Sequence, residues 1–218
     1  AIIEKANIKL IVICEECLVD GTIDKNLLYE IAKYECIYVT EKIFTQISDV
    51  KAPQGILAII EKGCKQGQID YSEDIIIALD GIQDPGNLGT ILRTVDSANL
   101  KQIIVSADTA DCYNPKVVRS TMGAIFRVNI IETAELKEIK KHKFDVIVTS
   151  LDTERSIYDI KYNKKVIVIG NEANGVSKEI QEMTDTKVKI PMLGKTESLN
   201  ASVATAIIVY EYVRTEKI

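Results

Sequence analysis

The chain has 218 residues, of which 46% are hydrophobic and 27% are charged, and its formal net charge is −5. This balance is typical of a folded globular protein and excludes a disordered one, while the lack of a long apolar run or a secretory signal pattern predicts a cytoplasmic protein without a membrane partner. The acidic charge argues against nucleic acid, and five irregularly spaced cysteines fit a reducing compartment rather than a disulfide framework.

The first 60 residues have a strand and helix pattern of their own. Apolar runs predict strands at 9–14, 36–39 and 55–60, and a helical pattern covers 25–34. Cys14 and Cys17 have the spacing of half a zinc site, but no second cysteine or histidine pair follows, so no metal site is predicted. A glycine-bearing polar stretch predicts a linker at 63–73, which separates a small domain at 1–62 from a larger one at 74–218.

The larger domain alternates β-branched runs with helical patterns. Strands are predicted at 75–79, 102–105, 127–131, 144–149, 165–169 and 187–190. Helices are predicted at 88–98, 115–121, 134–142, 177–183 and 199–215, with Asn87 as the N-cap of the first and Asn99 near its end. Nearly unbroken apolar strands separated by helices predict an α/β fold, in which a mainly parallel sheet carries helices on both faces.

Basic residues are clustered in two places along this domain. Lys116, Arg119 and Arg127 fall within one short span, and four lysines follow between 137 and 143 around His142, the one histidine of the sequence. A local positive face can therefore coexist with an acidic remainder, although a solvated helix surface explains the lysine cluster better. Histidine-based catalysis has little support.

The loop after the first of these strands covers residues 80–93. Its three glycines and one proline permit tight turns before a helix. Gly89 and Arg93 are four residues apart on that helix, so the glycine leaves room for an anion to reach the guanidinium. The alternative is a packing glycine beside an arginine on the helix surface.

Two further loops have a similar composition. The loop at 170–177 brackets Asn171, Glu172 and Asn174 with glycines, and the loop at 190–202 leads to a helix that Ser198 or Asn200 can cap. Because ligands of parallel sheets bind beyond the carboxyl ends of the strands, the three loops predict one small-molecule pocket. Neither a dinucleotide fingerprint nor a P-loop is present in the sequence, which disfavours a dehydrogenase and a P-loop NTPase.

In order and spacing these loops resemble the three signature motifs of the SpoU (TrmH-type) RNA ribose 2′-O-methyltransferases of the SPOUT superfamily. The first motif is the Asn-x-Gly-x-x-x-Arg core at 87–93, the second covers 169–177 and the third 190–204. The agreement extends over about 74–214. Ala201 departs from the pattern, since the family more often has valine there, but the residue remains apolar.

The resemblance implies a catalytic domain with a deep trefoil knot, where general rules predict an unknotted sheet. It also implies a homodimer whose RNA site is shared between subunits. The apolar helix at 199–215 is a candidate for that interface, although core packing explains its pattern equally well.

The cofactor implied by the resemblance is S-adenosylmethionine, folded among the second and third loops. Main-chain donors and acceptors suit adenine, whose edges need fixed hydrogen bonds rather than charge. The residues that the resemblance assigns to cofactor binding are Thr149, Ser150, Leu151, Gly170, Asn171, Glu172, Gly175, Ile190, Met192, Leu199 and Asn200.

Arg93 is the residue that the resemblance assigns to the ribose 2′-hydroxyl or its adjacent phosphate. A guanidinium is a poor base at neutral pH, so stabilising the charge of a phosphate or a forming alkoxide is the easier role. Asn87 is expected to orient Arg93 or the ribose, and Glu172, Ser198 and Asn200 to complete the polar wall.

Residues 52–58 resemble part of the family's small substrate-binding domain, which has a ribosomal-protein-L30e-like fold. That domain normally starts with another helix and strand, so we expect an N-terminally truncated module, in keeping with a chain that begins at Ala1. The module favours ribosomal RNA as the substrate. The alternatives are a transfer-RNA 2′-O-methyltransferase and a catalytically inactive RNA-binding relative, although the intact polar set argues against the latter.

Overall fold

The structure is a computed structural model that describes residues 1–62, 68–132, 136–196 and 198–218. Its contacts divide the chain into two compact units, Ala1–Gly63 and Cys64–Ile218. Of the predicted linker at 63–73, residues 63–67 lie outside the described residues. Within the described ranges, no helix is long and apolar enough to cross a membrane.

The N-terminal unit contains a three-stranded sheet with three short helices. Its strands are β1 (Ile8–Cys14), β2 (Cys36–Val39) and β3 (Ile56–Ile60), in the order β2-β1-β3, and β3 is antiparallel to β1. Its helices are α1 (Glu15–Val19), α2 (Lys25–Ile31) and α3 (Glu41–Ile47). The sequence did not predict α1 and α3. Both are at most seven residues long and neither has a side-chain cap, so they lack the signals that mark a helix.

The central strand β1 supplies the core of this unit on both of its faces. Ile11 and Ile13 pack with Ile31 of α2, whereas Val12 packs on the other side with Phe44 of α3. This alternation follows from the period of two along a strand.

The C-terminal unit contains a six-stranded sheet in the order β6-β5-β4-β8-β7-β9, in which every pairing is parallel. The strands are β4 (Ile75–Asp80), β5 (Gln102–Val105), β6 (Asn129–Glu132), β7 (Asp145–Thr149), β8 (Lys165–Gly170) and β9 (Thr186–Val188). The helices are α4 (Pro85–Ser97), α5 (Pro115–Ser120), α6 (Leu136–Lys141), α7 (Lys178–Glu182) and α8 (Ala201–Glu216). The predicted mainly parallel α/β sheet is confirmed, and the predicted helix at 134–142 is described only from Leu136 onward.

Helices cover both faces of this sheet, as predicted. Ile75, Ile77 and Leu79 of β4 belong to the core that α4, α5 and α8 cover. Ile76 and Ala78 belong to the core on the opposite face, under α6 and α7. Both faces are covered by helices, which explains why every residue of β4 is buried.

The start of α4 differs from the prediction. The helix begins at Pro85, and its N-cap is Asp84, whose Oδ1 accepts a hydrogen bond from the Asn87 N–H at 2.8 Å. A proline at the first helical position is preset for this geometry, so Asp84 is the better cap. Asn87 therefore lies inside the first turn, and its side chain remains available for other contacts. Asn99 follows the helix with a φ of 60°, as its predicted end requires.

The connections that follow β7 and β9 pair with each other. Ser156 and Lys189 form a parallel bridge, and the Ile157 N–H donates to the Lys189 carbonyl at 2.9 Å. This pairing holds the 150–164 connection against the chain that enters α8.

Candidate functional site

A cavity of about 570 Å³ opens at the carboxyl ends of β7, β8 and β9. All of the predicted cofactor-binding residues line this cavity except Asn200, which lies next to its wall. Those that line it are Thr149, Ser150, Leu151, Gly170, Asn171, Glu172, Gly175, Ile190, Met192 and Leu199. Ser198, predicted as a catalytic residue, also lines it.

The loop after β8 is closed by its own backbone. Asn171 and Gly175 exchange two main-chain hydrogen bonds of 3.0 and 2.9 Å, and Gly175 has the positive φ of 68° that this tight turn requires. The Asn171 side chain donates to the Gly81 carbonyl at 2.7 Å and accepts from the N–H groups of Ala173 and Asn174. Asn171 therefore fixes the loop, and its side-chain polar atoms are already occupied.

Gly170 has no space for a side chain. A Cβ atom there would lie 2.4 Å from the Gly175 carbonyl carbon and 2.5 Å from the Val176 nitrogen. These are backbone atoms, which cannot move aside as the end of a flexible side chain can. The glycine thus permits the close return of the loop that forms one wall of the cavity.

Asp80 joins the first loop to the second, a role that the sequence did not predict. Its carboxylate is buried and accepts a hydrogen bond from the Ser177 N–H at 2.6 Å. Ser177 was predicted to cap α7, and it is the N-cap, but its side chain makes no capping bond. The available signal was an acidic residue directly after an apolar strand, because buried carboxylates require partners.

A chain of side-chain hydrogen bonds links all three predicted loops. The Asn200 amide donates to Asn87 Oδ1 at 2.9 Å, and the Asn87 amide donates to Glu172 Oε1 at 2.6 Å. Asn200 precedes α8, Asn87 lies in α4 and Glu172 follows β8, so the contact spans residues distant in sequence. The structure thus brings together three of the five predicted catalytic residues. Glu172, the last acceptor in this series of hydrogen bonds, lines the cavity.

The orientation of Asn200 follows from its position as the N-cap of α8. Its Oδ1 accepts from the Ser202 N–H at 2.9 Å and from the Ser202 hydroxyl at 2.6 Å, so its amide nitrogen must point the other way. That nitrogen then donates to Asn87, which fixes the Asn87 amide in turn. Asn200 therefore belongs both to the predicted cap of α8 and to the polar chain, which is the series of hydrogen bonds from Asn200 through Asn87 to Glu172.

Arg93 lies apart from the hydrogen-bond chain of Asn200, Asn87 and Glu172. It is six residues after Asn87 on α4, about 120° away around the helix, whereas Asn87 faces α8. Arg93 is exposed, and no hydrogen bond or ion pair joins its side chain to the described part of the protein. Within one subunit, Arg93 makes no hydrogen bond or ion pair with Asn87, Glu172, Ser198 or Asn200.

Gly89 is a packing glycine, not an open space below Arg93. A Cβ atom there would lie 2.3 Å from Ser120 Cβ and 2.9 Å from the Val117 carbonyl oxygen. The room left by the missing side chain is filled by α5, so the expectation that an anion could occupy it is wrong. Arg93 reaches solvent beside α5.

The composition of the cavity wall fits a ligand of the size and mixed polarity of a nucleoside. Ile169, Ile190 and Leu199 offer apolar surface, Thr149 and Ser150 offer hydroxyl groups, and the Gly170 turn offers main-chain polar atoms at close range. The volume lies within the range of roughly 300–1,000 Å³ that small-molecule sites occupy. Among the described residues, no group of three potential metal ligands occurs.

Comparison with known proteins gives a family match and similar enzymes. A family model described as the SpoU rRNA Methylase family matches residues 74–210. The 23S rRNA (guanosine(2553)-2'-O)-methyltransferase RlmP of Bacillus subtilis is 31% identical over 180 residues, which are 81% of this chain and 71% of that enzyme. The 23S rRNA (guanosine-2'-O-)-methyltransferase RlmB of Bordetella pertussis is 34% identical over 172 residues, which are 74% of this chain and 70% of that enzyme.

A solved structure shows the same fold. The AdoMet-bound rRNA methyltransferase of Sinorhizobium meliloti superimposes with a TM-score of 0.78 at 26% identity, covering 99% of this chain and 83% of that one. The similarity therefore extends over both units of the present chain and is not confined to the larger one.

Proposed function

This chain belongs to the SpoU rRNA methylase family, and we propose on that premise that it transfers a methyl group from S-adenosylmethionine to a ribose 2′-hydroxyl of ribosomal RNA. The observation that carries the proposal is the Asn200–Asn87–Glu172 hydrogen-bond chain. It joins all three motif loops beside a cavity of the required size. A chain that had kept only the fold would not need to keep these three polar side chains in contact.

S-adenosylmethionine, when bound, supplies a methyl group that is already electrophilic. The residues that would hold it are those of the cavity wall, with Ile190 and Leu199 against the adenosyl group and main-chain atoms near Gly170 for its polar edges. The protein's own contribution is then to position the ribose, stabilise charge and keep water out.

The polar chain has a definite direction, which defines what it can do. Its amide groups donate toward Glu172, so the carboxylate is held at the edge of the cavity, where it can orient a ribose hydroxyl or a positive charge. Ser198 adds a hydroxyl group to the same wall. We assign positioning of the ribose to this set.

Arg93 supplies a permanent positive charge rather than a base. Since a guanidinium stays protonated at neutral pH, its role is to bind the phosphate next to the target ribose and to stabilise the alkoxide as it forms. Because Arg93 lies about 120° around α4 from Asn87 and makes no hydrogen bond to the polar residues of its own subunit within the described ranges, we propose a homodimer in which a second copy presents its Arg93 to this cavity. Sedimentation at several concentrations tests the dimer, and a monomer at all of them contradicts it.

Ribosomal RNA is the proposed substrate class because RlmP and RlmB are both named as 23S rRNA guanosine 2′-O-methyltransferases and both match most of this chain. A cytoplasmic location is part of the same proposal. The substrate assignment is tested by mapping 2′-O-methyl groups in the RNA of cells that lack the protein. Loss of one site in 23S rRNA is expected, and loss of a transfer-RNA site instead would contradict the assignment.

Titration calorimetry separates an enzyme from an inactive relative. The protein is expected to bind S-adenosylmethionine, and the Gly170→Ala variant, whose added Cβ forces the loop after β8 to open, is expected to bind it weakly or not at all. If the parent protein shows no binding heat, the inactive RNA-binding relative becomes the better account.

A further inference from the structure

A strained turn follows α5 and carries an exposed apolar side chain. Met122 has a φ of 51° and is 69% exposed, and it precedes Gly123, whose φ is 90°. Of the non-glycine residues with positive φ in the described ranges, Met122 alone has an apolar side chain; the others are lysines and one asparagine. An exposed methionine in a backbone conformation that costs on the order of 1 kcal/mol needs a reason beyond folding.

The turn is firmly held, so the outward direction of Met122 is fixed. Thr121 and Ala124 on either side of it are fully buried, and the Ala124 N–H donates to the Thr121 carbonyl at 3.1 Å. Beyond the turn, the guanidinium of Arg127 binds the Asp96 carboxylate of α4 through its Nε and Nη2 atoms at 3.0 and 2.7 Å. The turn is therefore clamped to α4 at its far end.

The same contacts place the turn beside Arg93. Ser120 meets Gly89 of α4, and Arg127 meets Asp96, so the chain from 120 to 127 runs along α4 from Gly89 to Asp96. Arg93 lies between those two α4 residues, about 40° around the helix from Gly89. The Met122 turn thus flanks the position of Arg93.

Three cations lie on the two helices beside this turn, Arg93 on α4 and Lys116 and Arg119 on α5. Lys116 and Arg119 of α5 are exposed, like Arg93, and no ion pair or side-chain hydrogen bond neutralises any of the three within the described residues. Arg127, by contrast, is neutralised by Asp96. Unpaired cations beside an apolar side chain match an RNA strand, which offers phosphates and splayed bases. A second copy of the same surface would bring like charges together.

We propose that Met122, with Arg119 and Lys116, forms a substrate-positioning surface beside Arg93: the two cations bind phosphates of the RNA strand, and Met122 packs against a base next to the target nucleotide. This proposal rests on the proposed function and adds to it the part of the protein that holds the strand. Met122 is a positioning residue and does not touch the reacting atoms.

The Met122→Gly variant separates this role from folding. Glycine accepts the positive φ without strain, so its thermal stability is expected to equal or exceed that of the parent. With an unmodified 23S rRNA transcript as the probe, the KM for RNA is expected to rise about tenfold, the loss of one buried apolar contact, with unchanged S-adenosylmethionine affinity. The Met122→Leu variant should restore most of the lost affinity.

Charge removal tests the second half of the proposal. In Arg119→Ala, the slope of log affinity for the transcript against log salt is expected to fall by about 0.7 to 0.9, the value of one phosphate contact. Lys161→Ala, which removes an exposed cation elsewhere in the unit, is the control and should leave the slope unchanged.

The outcomes are distinguishable. A parent protein that binds S-adenosylmethionine but neither binds nor methylates the transcript overturns the proposed function, and this inference with it. A parent that methylates the transcript while Met122→Gly keeps its KM within about twofold overturns the inference alone. A Met122→Gly protein that loses affinity only because it dissociates into monomers also overturns it, since the surface would then be a subunit interface.

Discussion

Asn200 has two roles at the residue scale, because its oxygen caps α8 while its nitrogen begins the polar chain to Glu172. The identity of these residues could be predicted from the motif pattern, and the contacts bear out that they lie together. Two details could not be predicted. Asp84 and Asn87 are both good caps by type, and only the proline between them favours the first. The burial of Asp80 could not be predicted either, because a single sequence does not reveal which strand-end carboxylates are buried.

Replacing Arg93 with alanine should abolish most methyl transfer while leaving cofactor binding unchanged, because the side chain contacts no residue of the cavity in its own chain. We expect kcat to fall about 100-fold or more, the value of a lost electrostatic donor. The measurement is single-turnover transfer to RNA beside titration with S-adenosylmethionine. Arg93→Lys, which keeps the charge but not the planar fork, should retain part of the rate. Near-normal turnover in Arg93→Ala would contradict the assignment.

Substitutions of Asn200 should separate its cap from its donor. Asn200→Ala loses both, so its free energy of unfolding should drop by about 1 kcal/mol. Asn200→Asp keeps a good cap but cannot donate to Asn87, so it should unfold like the parent yet lose methyl transfer. Urea unfolding and activity assays on the two variants check this. Equal activity in Asn200→Asp and the parent would show that the hydrogen bond to Asn87 is not needed.

At the element scale, the sequence predicts the strands of the larger unit better than it predicts where the three loops begin and end. The six strands of the larger unit were predictable because they are almost wholly apolar, whereas the ends of the loops depend on backbone contacts that composition does not record. Gly89 shows the limit of prediction from composition and spacing. Its spacing from Arg93 predicts a ligand site, but α5, which follows later in the sequence after β5, fills the space beside Gly89. Tertiary packing decided between the two interpretations.

The Gly170→Ala variant tests the loop after β8 at this scale. Its Cβ would clash with the Gly175 and Val176 backbone, so the loop must open, at an expected cost of about 1–3 kcal/mol in the free energy of unfolding. Gly194→Ala is the matched control, because a Cβ there meets nothing within 4 Å. Thermal unfolding and cofactor titration of both variants check the expectation. Equal effects in the two would mean that the close approach at Gly170 is not required.

The end of α8 is tied to the start of β4 through Asp74. Lys217 Nζ lies 2.8 Å from its carboxylate and the Tyr212 hydroxyl donates to it at 3.2 Å, and the bond from Lys217 holds the pKa of Asp74 below its usual value. A carboxylate with a lowered pKa stabilises the fold above its unfolded pKa of about 3.9, and this contribution is lost as the pH falls through the folded value.

Asp74→Asn should therefore lower the unfolding temperature more at pH 7 than at pH 2.5, because protonation of the parent carboxyl group increases as the pH falls toward its lowered pKa. The effect at pH 7 should be about 1 kcal/mol or less, since the pair is partly exposed. Thermal scans of both proteins across this pH range measure it. An equal deficit at both pH values would show that shape, not charge, accounts for the contact.

At the scale of the whole molecule, residues of three distant segments form one site because the strand order places β8 between β4 and β7. The sequence predicts parallel strands but not their order, since each apolar run would fit any central position. The expectations of a knot and of a dimer come from the family pattern and not from periodicity. The separation of Arg93 from the polar chain is likewise visible only in the folded chain, and it motivates the proposed dimer.

The central claim is that this chain methylates a ribose hydroxyl of ribosomal RNA, and one measurement tests it most directly. An unmodified 23S rRNA transcript is incubated with the protein and methyl-labelled S-adenosylmethionine, then digested to nucleosides for mass spectrometry. A single 2′-O-methyl nucleoside that carries the label is the predicted result. Label on a base, or no transfer by a protein that binds S-adenosylmethionine, would contradict the account.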